Sequence, residues 1–141
     1  METLDKKLQQ ALQEIFSGDA CLLDPAECLA YAYDNSRRHA MPQAVVLPTS
    51  KDQVQKLVHV CREFKTPIVA RGRGTNTTGA SVPIEGGIVV SFERMNRIIE
   101  IRAGDRVAIV EPGVLNGDLQ KALKPLGLFW PPDPTSAAYS S

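Results

Sequence analysis

The sequence predicts an α+β fold, and three features carry that prediction. An apolar strand at residues 44–47, a helix and a second strand at residues 67–69 follow one another as a β-α-β unit, which favours a right-handed parallel crossover. A loop rich in glycine leaves the second strand. After it, three short apolar segments at residues 88–92, 98–101 and 107–111 are separated by polar turns, which is typical of an antiparallel meander.

Helices complete the predicted order of elements. The first spans roughly residues 1–17 and ends at Gly18, and a second begins near Pro25, since proline is favoured at an early helical position. Ser50 and Gln53 form a capping-box pattern at the start of a third helix. The long helices have apolar stripes at helical spacing: Leu4, Leu8, Leu12 and Ile15 in the first, Val54, Leu57, Val58, Cys61 and Phe64 in the third, and Leu115, Leu119 and Leu123 in the last, which ends near Pro125.

Residues 72–81, here called the glycine loop, have the clearest functional meaning. Glycine accepts positive φ and lets the backbone approach a ligand closely, so successive N–H groups can converge on a phosphate. No Lys-Ser/Thr pair follows Gly79, which excludes a Walker loop, and the spacing G-x-G-x-x-x-x-G departs from the Rossmann fingerprint. A long solvated loop of turn-forming residues stays the structural alternative.

Composition excludes several classes of protein. An apolar fraction of 43% is enough for a core, and 16 basic against 16 acidic residues provide no general attraction to nucleic acid or an anionic membrane. The charged start has no signal-peptide core and no apolar run reaches about 18 residues, so a cytoplasmic protein is predicted. Cys21, Cys28 and Cys61 match no zinc or C-x-x-C spacing, so no metal is predicted.

Six segments, in this order and spacing, resemble the FAD-binding domain of the vanillyl-alcohol oxidase and p-cresol methylhydroxylase superfamily. The resemblance is strongest to the branch that contains glycolate oxidase and D-lactate dehydrogenase. It implies a partial domain of this type, divided into a first subdomain (about residues 1–82, the β-α-β unit with flanking helices) and the start of a second, antiparallel one (about residues 83–141). The segments are residues 42–48, 71–81, 86–89, 95–98, 110–114 and 131–134.

The resemblance also implies the ligand and its contacts. The glycine loop is expected to hold the FAD pyrophosphate, mainly through backbone N–H groups, while Arg71 and Arg73 either add charge-assisted contacts or face solvent. Some relatives attach flavin through a histidine of this loop, and Thr75 occupies that position here, so the implied FAD is noncovalent. The implied cofactor-binding residues are Gly72, Arg73, Gly74, Thr75, Asn76, Gly79, Ala80 and Ser81 of the loop, with Pro132, Asp133 and Ser141 near the end of the chain.

The implied activity is oxidation of a small 2-hydroxy acid, of the glycolate or D-lactate type, by hydride transfer to flavin. The helical start and the Pro-Pro-Asp-Pro segment favour this branch over the reductase that forms UDP-N-acetylmuramate on a similar scaffold. Relatives continue that segment into a Ser/Thr-Ile-Gly-Gly turn and carry a cap domain with the catalytic groups. The sequence stops at Ser141, where that turn begins, so an N-terminal fragment is expected.

Such a fragment is expected to be inactive by itself and to self-associate through open strand edges. A short, non-catalytic nucleotide-binding or self-associating module therefore stays open as a further function.

Overall fold

The computed structural model describes residues 4–141, which form two β-sheets and flanking helices. The helices are α1 (Lys6–Ile15), α2 (Pro25–Cys28), α3 (Lys51–Glu63) and α4 (Asn116–Leu123). The strands are β1 (Cys21–Leu22), β2 (Ala44–Val46), β3 (Ile68–Arg71), β4 (Ile88–Ser91), β5 (Ile98–Arg102) and β6 (Val107–Val110). Single 3-10 turns follow or precede them at Gly18–Ala20, Leu29–Tyr31, Phe92–Arg94 and Lys124–Leu126. Within residues 4–141, no helix combines the length and apolar character needed to cross a membrane.

The larger sheet has the strand order β1-β2-β4-β3. Strands β2, β4 and β3 are parallel, with Ile88 level with both Ala44 and Ile68, and β1 runs antiparallel to β2. Because parallel strands end at the same edge, the glycine loop leaves β3 at the carboxyl edge of this sheet. The predicted strands of the β-α-β unit are confirmed, although β4 lies between them.

The predicted meander is wrong in its first strand, because β4 joins the parallel sheet. All four residues of β4 are buried, as expected for a strand covered on both faces, whereas a meander strand alternates between core and solvent. The chain thus leaves the first sheet after Ser91, later than the expected division near residue 82. The assignment of two subdomains itself stays a prediction.

The core lies on both faces of the larger sheet. On one face, α1 and α3 pack through Leu8, Leu12, Phe16, Leu57 and Cys61 onto Ala44, Val46, Ile88 and Val90. On the other face, Cys28 and Tyr31 of the second helical segment cover Val45 and Val89. The segment after α2 is thereby held against the sheet next to its carboxyl edge.

Strands β5 and β6 form the second sheet, and α4 packs against it through Leu119 and Leu123. Gly113 connects this unit to the end of the first sheet: its N–H donates to the Met95 carbonyl at 2.8 Å. A Cβ at Gly113 would collide with the Phe92 carbonyl oxygen, so only glycine permits this close crossing.

The helix starts follow from their caps. The Asp5 carboxylate accepts the N–H groups of Lys7 and Leu8 and begins α1, while residues 1–3 of the predicted first helix lie outside the described residues. Ser50 accepts the Gln53 N–H at 3.3 Å, which confirms half of the capping box. The other half is wrong, because the Gln53 side chain accepts from the Thr49 N–H at 2.8 Å instead.

We predict that Glu111→Gln destabilises the fold at neutral pH but not in acid. The buried Glu111 carboxylate accepts from the Arg97 side chain at 2.6 Å and from its N–H at 2.8 Å, and these bonds hold the pKa of Glu111 below its usual value. Because the folded pKa is lowered, the stabilisation is present above the unfolded pKa of about 4.3 and disappears as pH falls through the folded pKa.

Urea unfolding of wild type and Glu111→Gln at several pH values measures this. Glu100→Gln, which removes an exposed pair with Arg102, is the control and is expected to change stability little at any pH. A stability difference for Glu111→Gln that is independent of pH would contradict the prediction.

Candidate functional site

A cavity of about 190 Å³ lies at the carboxyl edge of the larger sheet, where the glycine loop begins. Ligands of parallel sheets usually bind at the carboxyl edge, because the connecting loops and their free backbone groups converge there. A larger cavity, of about 560 Å³, lies at the opposite edge, where residues such as Gln43 and Pro67 precede the strands. We take the smaller cavity as the candidate site. Its lining consists of Ala30, Tyr31, Arg71, Gly72, Arg73 and Glu93.

Arg71 ends β3 and turns its guanidinium into the protein. It is 8% exposed, its Nη1 donates to the Tyr33 carbonyl at 2.7 Å and its Nη2 to the Ala30 carbonyl at 3.3 Å. Its guanidinium carbon lies 5.7 Å from the centre of the Tyr31 ring. Burial lowers the pKa of Arg71, and the nearby Asp34 charge opposes this. The solvent-facing alternative is thus wrong for Arg71, which joins β3 to residues 30–38, here called the 30–38 segment.

Two glycines of the loop have left-handed backbone conformations that suit no β-branched residue. Gly74 has φ +67°, and a Cβ there would overlap the Arg71 guanidinium. Gly79 has φ +82°, and a Cβ there would lie 2.9 Å from Cδ of Arg38. The loop therefore passes directly over two arginine side chains, and glycine is the residue that leaves room for them.

A polar network connects the glycine loop to the 30–38 segment. The buried Asp34 carboxylate accepts the Ser81 hydroxyl at 3.3 Å, and the Ser81 oxygen accepts the Asn76 amide N–H at 2.8 Å. The Asn76 side-chain oxygen then accepts the N–H groups of Thr78 and Ala80 at 3.2 and 3.3 Å. Burial raises the pKa of Asp34, but hydrogen bonds from Ser36 and Ser81 outweigh it and hold the pKa below its usual value.

Asn35 fixes two carbonyl groups of the glycine loop. Its N–H donates to the Asn76 carbonyl at 3.1 Å, and its side-chain amide donates to the Thr75 carbonyl at 3.2 Å. In a planar trans peptide the N–H points away from the C=O, so the N–H groups of Asn76 and Thr77 point away from the 30–38 segment. No hydrogen bond within residues 4–141 uses either of these donors.

Unused polar groups test whether the site fits a phosphate-bearing cofactor. The Ser91 hydroxyl, at the end of β4 and level with Arg71, is buried and has no partner within residues 4–141. The Asn116 side-chain nitrogen is also buried without a partner among them. Both side-chain atoms are covered by protein, so the donors open to a phosphate-bearing ligand at this edge are the unused loop N–H groups.

Arg73 and Glu93 lie at the mouth of the cavity. Arg73 is half-exposed and its Nη1 lies 3.6 Å from the Glu93 carboxylate, which also accepts the Tyr31 hydroxyl at 2.9 Å. Burial, followed by this bond to Glu93, raises the pKa of Tyr31 to about 12, so the phenol stays protonated at neutral pH. Only Nη1 of Arg73 lies close to Glu93, so the other guanidinium N–H groups are available to a ligand.

The end of the chain returns to the glycine loop. The Asn116 N–H, at the start of α4, donates to the Ser140 carbonyl at 2.8 Å, and a Cβ on Gly72 would collide with the Ser141 hydroxyl. Ser141 thus lies against Gly72, the first glycine of the loop, so the two residues are close enough to contact one ligand. Pro132 and Asp133 are exposed, and their role in the site stays a prediction.

Sequence reasoning missed the residues that support the loop: Tyr31, Asp34, Asn35 and Arg38. In the sequence they form only the polar end of a helical segment. A usable signal was present, because Asp34, Asn35 and Ser36 form a run of residues whose side chains bond to nearby backbone, and the Asp34 carboxylate does accept the Ser36 N–H at 2.8 Å.

The parallel sheet, its carboxyl-edge loop and the unused N–H groups define the class: an α+β domain suited to a phosphate-bearing cofactor. Residues 42–141 match the family model described as FAD binding domain. The chain therefore belongs to this family of FAD-binding domains.

Curated relatives agree with this assignment. The chain is 42% identical over 114 residues to the glycolate oxidase protein GlcD of Bacillus subtilis, covering 80% of this chain and 24% of that protein. It is 35% identical over 137 residues to D-2-hydroxyglutarate dehydrogenase of Stutzerimonas stutzeri, covering 96% of this chain and 30% of that protein. The chain thus spans only a quarter to a third of the length of these relatives.

Solved structures agree on the fold. An alkyldihydroxyacetonephosphate synthase superposes with a TM-score of 0.86 over 98% of this chain and 30% of its own, at 23% identity. A p-cresol methylhydroxylase superposes with a TM-score of 0.75 over 86% of this chain and 25% of its own, at 29% identity. The predicted family and α+β fold class are confirmed.

We predict that Gly74→Val in the full-length protein strongly weakens FAD binding while the core stays folded. A β-branched side chain opposes positive φ, and the Arg71 guanidinium below it is held by two hydrogen bonds and has little freedom to yield. A combined cost of about 3 kcal/mol weakens binding by more than about a hundredfold.

FAD titration of the apoprotein, followed by flavin fluorescence, measures the change. Gly104→Val is the matched control, because Gly104 lies in the β5–β6 turn, has no positive φ and has no atom within 4 Å of the added Cβ. Wild-type FAD affinity in a soluble Gly74→Val protein would mean that the glycine loop is not the phosphate site.

Proposed function

We propose that this chain is the FAD-binding part of a flavoprotein oxidoreductase that oxidises a small 2-hydroxy acid. The main support for placing the cofactor at this site is the pair of unused N–H groups on Asn76 and Thr77. Because Asn35 binds the carbonyls of the same two peptides, these N–H groups point away from the 30–38 segment. The substrate class is supported by similarity to proteins named for glycolate and D-2-hydroxyglutarate. The same proposal includes the cytoplasmic location that is predicted in the sequence analysis.

In this proposal, the chain binds and orients the cofactor. Bound FAD would supply the hydride acceptor, and the chain's own residues would supply donors for the pyrophosphate. The anion contacts come from backbone N–H groups of the loop, with Arg73 and Arg38 as cations beside it. The proposed contacts are Gly72, Arg73, Gly74, Thr75, Asn76, Gly79, Ala80 and Ser81, with Ser141 beside Gly72 and with Pro132 and Asp133 on the exposed approach.

Substrate selection is assigned to groups outside this chain. Its titratable side chains at the cavity are Tyr31, Arg71, Arg73 and Glu93, and each is already paired with another protein group. In this proposal these pairs serve to hold the cavity together. The chain therefore contributes cofactor binding in this proposal, and no catalytic residue.

A non-catalytic, self-associating module is the second candidate, and the β5–β6 sheet favours it. Within residues 4–141 this sheet has two strands, so one edge of each is open. Ile99 is 61% and Val107 is 46% exposed on these strands. Open edges with apolar side chains are typical sites of strand addition, including pairing of two copies of one chain.

We predict that the full-length protein binds FAD noncovalently, because Thr75 occupies the position at which some relatives carry a flavin-linked histidine. Acid precipitation is expected to leave the flavin in the supernatant. Trypsin then releases residues 74–94, between Arg73 and the cleavage after Arg94, and this peptide is expected at its unmodified mass. Flavin in the pellet, or a peptide heavier by the flavin mass, would contradict the prediction.

We predict that the full-length protein, saturated with FAD, reduces an artificial electron acceptor in the presence of glycolate, D-lactate or D-2-hydroxyglutarate. L-lactate is the matched control, since it differs from D-lactate only in configuration. Activity with at least one of the three acids separates the oxidoreductase from the non-catalytic module. If none is oxidised and the protein instead catalyses the reduction that forms UDP-N-acetylmuramate, the reductase alternative is correct.

A further inference from the structure

Asp34 lies at the centre of the contact between the 30–38 segment and the glycine loop. It is 5% exposed, and it sits in a turn that is closed by the pairing of Tyr33 with His39 and by the Ala40 N–H bond to the Ala32 carbonyl at 2.9 Å. One carboxylate oxygen accepts the Ser36 N–H within this turn. The other accepts the Ser81 hydroxyl, which belongs to the far end of the glycine loop.

The charge of Asp34 determines which group donates and which accepts in each hydrogen bond of this network. An ionised carboxylate only accepts hydrogen bonds, so the Ser81 hydroxyl must donate to it and must accept from the Asn76 amide nitrogen. The Asn76 amide is thereby oriented with its oxygen toward the loop backbone, where it accepts from Thr78 and Ala80. One buried acceptor thus determines the orientation of two further polar side chains.

The consequence is a loop shaped before its ligand arrives. The N–H groups of Thr78 and Ala80 donate to the Asn76 side-chain oxygen, and these bonds curve residues 76–80. Asn35 holds the Thr75 and Asn76 carbonyls on the side of the 30–38 segment. Donors left on the opposite side need no rearrangement to meet an anion, and preorganisation of this kind raises affinity.

The groups around Asp34 stabilise its buried negative charge. Arg71 interacts electrostatically with Asp34 from the end of β3, and Ser36 and Ser81 bond to it from the two segments that it joins. The negative charge is therefore offset inside the protein by Arg71 and by these hydrogen bonds.

We propose that Asp34 is a positioning residue of the FAD site, which sets the glycine loop in its binding shape through Ser81 and Asn76 without touching the cofactor. This inference rests on the proposed function, in which the loop holds the FAD pyrophosphate.

The central test compares Asp34→Asn with wild type in the full-length apoprotein by titration with FAD. The amide keeps the shape of the Asp34 side chain, but its NH2 group is a donor placed next to the groups that donate to the carboxylate. We therefore expect FAD affinity to fall at least about tenfold. Ser36→Ala is the matched control: Ser36 lies in the same turn, its hydroxyl oxygen accepts the Arg38 N–H at 3.2 Å, and the bond from its backbone N–H to Asp34 is kept, so FAD affinity is expected within about twofold of wild type.

A double-mutant cycle separates positioning from direct contact. If Asp34 acts through Ser81, the double variant Asp34→Asn/Ser81→Ala binds FAD no more weakly than the weaker single variant. Additive losses, or wild-type affinity in Asp34→Asn, would overturn the proposal. If Asp34→Asn does not fold, the comparison of Ser81→Ala with Ser36→Ala remains, and equal FAD affinities in these two variants would overturn it.

The outcome is distinguishable from failure of the proposed function. Loss of FAD binding in Gly74→Val together with wild-type binding in Asp34→Asn rejects only the role of Asp34. Wild-type binding in Gly74→Val rejects the loop as the phosphate site, whatever Asp34→Asn does.

Discussion

The outward direction of the loop N–H groups is the constraint on which the rest of the site depends. An anion of the size of a pyrophosphate needs several donors that point to one place, and a flexible loop of glycine, threonine and asparagine does not hold them there alone. In this chain the opposite ends of the same peptides are fixed: Asn35 binds the carbonyls of Thr75 and Asn76. The site therefore extends to a segment that lies 40 positions earlier in the sequence than the loop it supports.

The sheet topology explains why that earlier segment is available. Because β4 lies between β2 and β3, the 30–38 segment covers the face that contains Val45 and Val89 and reaches the carboxyl edge beside β3. Arg71, at the end of β3, then crosses to the Tyr33 and Ala30 carbonyls. Hydrogen bonds thus join the 30–38 segment to the glycine loop and to the end of β3, at the edge where parallel sheets bind their ligands.

Local patterns in the sequence predict the helices, the β-α-β unit and the glycine loop, because periodicity and turn chemistry are properties of neighbouring residues. The position of β4 was not predicted, since its pairing partners are distant in sequence; its unbroken apolar run was nevertheless typical of a buried parallel strand. The burial of Arg71 and the role of Asp34 were not predicted, for a different reason. A charged residue in a polar stretch is normally solvated, and only the tertiary structure buries these two side chains.

Arg71 and Asp34 are both buried and interact electrostatically, which has a consequence for the site. A carboxylate beneath an anion-binding loop would repel its ligand, and a lone buried arginine would attract anions indiscriminately, since the interaction of two charges grows as the local dielectric falls. Here the buried Arg71 and Asp34 carry opposite charges and interact, so each offsets part of the charge of the other. Attraction of the ligand is left to directional backbone donors and to Arg38 and Arg73 at the rim. In a site built this way, the direction of the backbone donors favours an anion of matching geometry.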